Sequence, residues 1–573
     1  MPPATAAPSY VSGTSERPLL YQSVGGVLQD GAARWPEHLA LISRHQGIRW
    51  TYRELDERVD VIARGLLALG LQPGERIGIW SPNNAEWVLT QFAAARVGLI
   101  LVNVNPAYRA YELEYALRKV GCRALVLAPS FKSSDYIAIL RQLIPELAAA
   151  QAQAPAAGYR RLSCAAFPQL EYLIQLGTTA VPGCLRFTEL EQLAASVSPE
   201  TLECVARTVD PDEPTNIQFT SGTTGPPKGA TLTHFNIVNN GYFVGAGIRL
   251  IPGDRICAPV PLYHCFGMVM AVLGAMTHGA AVVFPAESFE PEAVLRAVAE
   301  DRCTALYGVP TMFIAQLEHP KFREFDLSSL RTGIMAGAPC PIAVMRRVVD
   351  EMHMREVTIC YGMTETSPVS FQSRTDDSLE KRVSTVGRIH PHVQVKLIDR
   401  DGRVVPRGTK GELLTRGYSV MRGYWDDPGK TAESIDAGGW MHTGDLAVLD
   451  DEGFCNVVGR VKDMIIRGGE NIYPRELEEY LIRHPKILDV AVVGLPDRRY
   501  GEVVCAAVRL REGAVLEAAD VIDFCRGQIA HYKVPTHVHF VEQFPLTVTG
   551  KVQKFLIREQ LMRELQLEAE KTA

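Results

Sequence analysis

The sequence predicts an α/β fold: a large N-terminal domain of wound parallel sheets with a β-barrel-like section, then a small α+β domain. Three observations predict it. Helix-spaced and strand-spaced apolar patterns alternate through the first two thirds of the chain. After Thr385 the texture changes to short strands with charged turns, as in "VQVKLIDRDGRVVPRGTKGELLTRG". From Lys462 onward, one helix pattern and two apolar strands make a compact unit of about 110 residues, an ordinary domain size.

Taken in order, residues 1–18 are rich in Pro, Ala, Ser and Thr and read as a flexible tail. A large domain over 19–460 and a small one over 461–573 follow, because 573 residues exceed what one core serves. Within the large domain, "TYRELDERVDVIARGLLALGL" has apolar residues at helical spacing and leads into the strand of "PGERIGIW". "EWVLTQFAAARVGLILVNVNP" and "AYELEYALRKVGCRALVLAP" repeat the order. "RICAPVPL", "AAVVFP", "LYGVP" and "LRTGIMAG" continue it. The alanine-rich stretch from Gln142 to Ser198 reads as a surface excursion. The small domain is drawn from helix "PRELEEYLIRHP" and strands "DVAVVGLP" and "VVCAAVRL".

Composition narrows the function. A net charge of -6 argues against a non-specific nucleic-acid binder, though a local pocket can still be positive. Twelve cysteines without any C-x-x-C spacing indicate neither a zinc site nor a disulfide framework. The N-terminus lacks a basic start followed by an apolar core, and no uninterrupted apolar run reaches membrane-spanning length. A cytoplasmic protein is expected, its oligomeric state open, with a homodimer as one option.

One stretch carries the chemistry. "TSGTTGPPKG", Thr220 to Gly229, sits between the apolar strand "NIQFT" and the helix pattern "HFNIVNNGYF". Three glycines and four hydroxyls there would turn N–H and O–H donors toward a phosphate, with Lys228 adding charge. It departs from the Walker pattern: Pro227 precedes the lysine, and Gly229 after it has no hydroxyl for magnesium. A γ-phosphoryl kinase is therefore disfavoured.

These residues resemble the signature of the adenylate-forming enzymes, which include acyl-CoA synthetases, luciferases and peptide-synthetase adenylation domains. The family's other motifs follow in order: "YGMTE" at 361–365, "HTGD" at 442–445, "GRVKDMI" at 459–465, "GGENIYP" at 468–474 and "TGK" at 549–551. The resemblance covers about Leu20 to Leu565, and "GATLTHFNIVNN" and "PLTVTGKVQKFLIREQ" look most like the medium-chain acyl-CoA synthetase branch.

The resemblance implies cleavage of ATP between its α- and β-phosphates, with a loop of Thr220, Ser221, Gly222, Thr223, Thr224, Gly225 and Lys228 over the outer phosphates. It gives Thr364 to the α-phosphate and Glu365 to Mg2+, an ion that takes few protein ligands. Gly337, Ala338, Pro339 and Tyr361 would form the adenine slot, Gly362 and Met363 would also bind the nucleotide, Asp445 would take the ribose hydroxyls, and Arg460 would lie near ribose and phosphates. Lys551 is the implied catalytic lysine and Lys462 the hinge about which the small domain turns. Gly468, Gly469 and Glu470 would line the route of coenzyme A. His264, in "PLYHCFG", would position acid or thiol, and Tyr242, Gly245 and Gly308 would line the acyl pocket. The glycines of "NNGYFVGAG" are read as space for an alkyl chain or as a fraying helix end, and Asn236 as the absence of an amino-acid-binding aspartate. A carboxylic acid, ATP and CoA are thus the expected substrates, with a medium-chain fatty acid favoured. A ligase for aryl or other acids and a non-catalytic nucleotide-binding homologue are the alternatives.

Overall fold

The computed structural model describes residues 7–147, 161–220, 227–338, 340–467, 470–497, 499–547, 552–565 and 567. The chain forms two compact units. The larger comprises Ser12–Gln394 and Thr415–Met441; the smaller comprises Met1–Val11, Val395–Leu414 and His442–Ala573.

The larger unit holds two sheets wound with helices. One contains, in chain order, Arg76–Trp80 (β1), Ile100–Asn103 (β2), Ala124–Leu127 (β3), Tyr172–Gln175 (β4), Leu185–Arg186 (β5), Pro214–Thr220 (β6), Lys228–Thr233 (β7) and Gly423–Tyr424 (β8). Their spatial order is β5-β4-β3-β1-β2-β6-β7-β8. Pairing is parallel from β5 to β6, then antiparallel from β6 to β7 and β7 to β8. The second sheet has nine strands. Its middle, running from Glu356–Gly362 through Thr332–Ala336, Ala305–Gly308, Arg255–Cys257 and Ala281–Phe284 to Leu39–Ser43, is parallel, as alternating helix and strand requires.

Between the sheets lies a continuous apolar core that takes Ile77, Ile79 and Leu101 from the first sheet and Leu41, Val282 and Tyr307 from the second. Helix Ala85–Arg96 is buried on all sides there, every residue except Glu86, which explains its lack of a polar face. Helix His234–Gly247 (α1) begins at a reciprocal cap. Thr233 Oγ1 accepts from the Asn236 N–H at 3.1 Å, and Asn236 Oδ1 accepts from the Thr233 N–H at 2.8 Å. Asn236 Nδ2 also donates to the carbonyls of Tyr418 and Val420. Asn236 is therefore a capping residue, which accounts for its identity without a ligand.

The glycines of α1 sit where the helix packs closely against its neighbours. A Cβ on Gly245 would lie 2.7 Å from the His278 ring and 3.1 Å from the Gly274 carbonyl. One on Gly241 would lie 2.8 Å from Leu273 Cβ, and one on Gly247 2.6 Å from Gln372. They let α1 approach the π-helix Phe266–Leu273 and the strand Val369–Gln372. Space at Gly245 is filled by protein, so it opens no acyl pocket at its own Cα.

Three further expectations change. The stretch from Gln142 to Ser198 is more than a surface excursion: it supplies β4 and β5, and it buries Cys164, Phe167 and Leu170. Its run "AAAQAQAPAAG" lies outside the described residues. The tail is fixed from Ser9, whose N–H donates to the Val405 carbonyl at 2.7 Å and whose hydroxyl donates to that of Pro406 at 2.9 Å; Tyr10–Ser12 is a strand. By contacts the smaller unit also takes in Val395–Leu414 and His442–Arg460. The expected barrel-like section is a five-stranded sheet built from Tyr10–Ser12, Val393–Ile398, Gly411–Gly417, Met441–Leu449 (β9) and Cys455–Arg460 (β10), in that spatial order. Beyond it, Ile487–Asp497 and Gly501–Leu510 form the long hairpin of a second sheet packed by Pro474–Leu481. Among the described residues no helix is long and apolar enough to cross a membrane.

Gly245→Val should destabilise the fold by about 1–3 kcal/mol through overpacking against His278. Denaturant unfolding measures this, and the chain-length preference for acids should stay unchanged.

Candidate active site

The site grows from strand register. In the β6–β7 pair, Thr220 faces Lys228, Gln218 faces Ala230 and Asn216 faces Leu232. Ala230 in turn faces Tyr424 of β8, and Gln218 faces Asn103 of β2. Residues directly opposite, or two apart on one strand, share a face. One face therefore carries Asn103, Asn216, Gln218, Thr220, Lys228 and Tyr424.

Glu365 meets this face. It lies in the turn Thr364–Thr366 and is buried, as is Thr364. Its Oε1 accepts from Thr220 Oγ1 at 3.1 Å and from Tyr424 Oη at 2.9 Å. The Glu365 carbonyl accepts from the Met421 N–H at 2.9 Å, so backbone as well as side chain is tied to the approach to β8. Lys228 Nζ donates to Tyr424 Oη at 2.9 Å and lies 4.1 Å from the centre of its ring. Burial, then the nearby Glu365 charge, pushes the Tyr424 phenol well above its ordinary range, so it stays protonated and can donate.

Below the charged groups runs a buried polar ladder. Asn216 Nδ2 donates to the Leu101 carbonyl and to Asn103 Oδ1, and Gln218 Nε2 donates to Asn216 Oδ1 at 2.8 Å. Asn103 Nδ2 donates to the Tyr263 carbonyl at 2.9 Å, and Cys265 Sγ to Gln218 Oε1 at 3.0 Å. Cys265 also hydrogen-bonds Thr364, and burial pushes its thiol up to about 12, so it serves as a neutral donor. The ladder thus ties the motif around His264 to the phosphate-loop strand and to Thr364. His264 itself is half-buried, and its Nδ1 accepts from the Phe266 N–H at 3.1 Å, which leaves the proton of a neutral ring on Nε2.

Gly337 and Tyr361 stand at the C-terminal ends of adjacent parallel strands, one residue beyond the Ala336–Cys360 pair. In wound sheets ligands bind at such ends. Gly337 has φ +87°, a conformation that favours glycine, and Ala338 follows it. Gly362 is forced: a Cβ there would lie 1.7 Å from the Pro368 carbonyl oxygen. The Met363 N–H donates to that same carbonyl at 3.0 Å. Gly308 ends its strand against Phe313, and Tyr242 stacks on His278 at 5.4 Å.

In the smaller unit the register brings Asp445 of β9 opposite Arg460 of β10, with Arg460 Nε 3.0 Å from Asp445 Oδ1. Asp445 is buried and Arg460 half-exposed, an aspartate oriented by its partner. Lys462 is exposed in the turn after β10, within this unit. Glu470 is exposed at the start of the strand Glu470–Ile472. Ser221, Gly222, Thr223, Thr224, Gly225, Pro339, Gly468, Gly469 and Lys551 lie outside the described residues.

Sequence reasoning missed Tyr424, Gln218 and Cys265. A two-residue strand leaves no alternation to detect, and the one signal for Tyr424 was the "RGYW" run beside a constrained glycine. Gly423 has φ +147°, with Thr431 2.9 Å from where its Cβ would sit.

Mg2+ fits the donor set. Glu365 is a hard carboxylate flanked by hydroxyls, and such an ion keeps most of its waters. Among the described residues, no group of three His, Cys, Asp or Glu side chains could hold a metal by itself.

Wound sheets whose β6–β7 hairpin brings Thr220 and Lys228 to a buried Glu365 define an α/β protein with a polar site at its strand ends. The AMP-binding enzyme family model matches residues 28–425, and the model of its C-terminal domain matches 476–551. The chain belongs to the AMP-binding enzyme family. It is 46% identical over 566 residues to the medium-chain acyl-CoA ligase ACSF2, mitochondrial, of Danio rerio, covering 98% of this chain and 92% of that one. The putative acyl-CoA synthetase YngI of Bacillus subtilis is 43% identical, covering 96% and 99%. Among solved structures, the anthranilate CoA ligase AuaEII with anthranoyl-AMP matches at TM-score 0.82 and 25% identity, over 96% of this chain and 99% of that one. ATP-bound MatB from Rhodopseudomonas palustris matches at 0.79 and 28%, over 95% and 100%.

Thr220→Val removes one of the two hydroxyls on Glu365. It is expected to weaken Mg-nucleotide binding about tenfold, the usual worth of a hydrogen bond to a charged group. Calorimetric titration gives the affinity, and an unchanged melting temperature would separate this from a folding defect.

Proposed function

We propose that this enzyme is an AMP-forming acyl-CoA synthetase acting on medium-chain fatty acids. The observation that carries it is the convergence of Thr220, Lys228 and Glu365 on one sheet face, in a chain similar over nearly its whole length to acyl-CoA ligases. In the first half-reaction the acid's carboxylate oxygen bonds to the α-phosphorus of ATP while the bond to the bridging oxygen breaks, releasing pyrophosphate. A carboxylic acid with a pKa of about 4–5 is already ionised at neutral pH, so no general base is needed. The site supplies placement and positive charge instead. Lys228 and Thr220 hold the outer phosphates and Thr364 the α-phosphate, and Glu365 would hold Mg2+, which when bound would neutralise phosphoryl charge. Gly337, Ala338, Pro339 and Tyr361 shape the adenine slot, Asp445 accepts from the ribose hydroxyls, and Arg460 orients it. Lys551 reaches the α-phosphate and the carboxylate.

In the second half-reaction the CoA sulfur bonds to the acyl carbon, AMP leaves with the former carboxylate oxygen, and the thiol proton passes to solvent. His264 orients acid or thiol, Tyr242 and Gly308 border the acyl chain, and the backbone of Gly468, Gly469 and Glu470 borders the thiol route. A turn of the C-terminal residues about Lys462 separates the two steps, supported by that residue's exposed position between strands. A cytoplasmic location is part of this reading, to be checked by cell fractionation, and a homodimer is one option that sedimentation tests.

Turnover should yield AMP and pyrophosphate, and a panel of short to long alkyl acids with benzoates should peak at medium chain. A peak at benzoates would favour an aryl-acid ligase, and no ATP–pyrophosphate exchange with any acid would favour a binding protein. Lys462→Pro should keep ATP–pyrophosphate exchange and lose thioester formation. Equal loss of both half-reactions would overturn the hinge.

A further inference from the structure

Tyr424 stands between the two charged groups of the site. Its Oη accepts from Lys228 Nζ and donates to Glu365 Oε1, both at 2.9 Å, and its ring lies under the same ammonium. An ammonium and a carboxylate that end on one oxygen are within reach of each other. A direct buried ion pair between them would be costly to break, because either group alone would be left as an uncompensated charge. Through a neutral hydroxyl, the two groups are bridged by exchangeable hydrogen bonds in place of a direct charge pair.

The hydroxyl is not needed to hold the strand. Backbone pairing to Ala230, the bond from the Tyr424 N–H to Thr431 Oγ1 at 2.9 Å and that from the Trp425 N–H to the Gly229 carbonyl at 2.7 Å do that work. The ring is buried and belongs to the same apolar core as Met421 and Met441. Beyond a hydrogen bond with Ser434, the hydroxyl's partners are the cation and the carboxylate.

We propose that Tyr424 is a positioning residue that keeps Lys228 and Glu365 from pairing with each other, so that both are available when a metal-bound nucleotide enters. This rests on the reading above, in which Lys228 takes phosphate and Glu365 takes Mg2+.

The test is a double-mutant cycle on the full chain, titrating the unreactive Mg2+ complex of α,β-methylene-ATP by calorimetry. Tyr424→Phe should weaken binding about tenfold when Lys228 is present and less than about twofold in a Lys228→Met background, where no ion pair can form. The KM for ATP should rise, while the KM values for acid and CoA stay unchanged. Equal weakening in both backgrounds would mean that the hydroxyl touches the nucleotide or supports the fold, and would overturn the proposal. So would unchanged binding by Tyr424→Phe alone. Should the Phe variant not fold, Tyr424→Met, which also lacks the hydroxyl, carries the same comparison. If the wild-type chain does not bind the nucleotide complex, the functional reading fails instead.

Discussion

The register of the β6–β7 hairpin is the constraint on which the site depends. Because side chains alternate along a strand, a slip of one residue would turn Thr220, Gln218 and Lys228 to the opposite face. The buried amides act against such a slip. Asn103, Asn216 and Gln218 satisfy one another only in the observed register, and burying them unpaired would cost more than any apolar replacement. The polar ladder is thus a registration device, and the charged groups above it inherit their positions from it.

Much of this was legible in the sequence. Helix-and-strand alternation located the parallel strands of both large sheets, since fully buried strands read as short apolar runs such as "RALVLAP". The residues around the phosphate loop and "YGMTE" were identified through their family resemblance, and Thr220, Lys228, Thr364 and Glu365 do lie together. Local pattern failed where long-range contacts decide. The stretch from Gln142 to Ser198 looked peripheral because alanine dominates its first third, yet Tyr172–Gln175 pairs with Ala124–Leu127 inside the sheet. Ser9 was lost in a low-complexity tail because its partners lie nearly 400 positions away in sequence.

The glycines of α1 show a different limit. From sequence, a glycine marks missing volume without saying what fills it. Here the neighbouring π-helix and His278 fill it, so a residue that suggested a cavity is instead a contact. Asn236 is similar: its identity suggested something about substrate charge, but the helix cap already accounts for it.

The strand that carries Tyr424 is only two residues long and lies at the margin of its sheet. Short marginal segments open at far lower free energy than central strands. The contact spanning lysine and carboxylate is therefore mounted on the part of the sheet that can loosen by itself, while the amide ladder two strands inward stays shut. Local fraying at 423–425 would give the site a soft rim over a rigid floor.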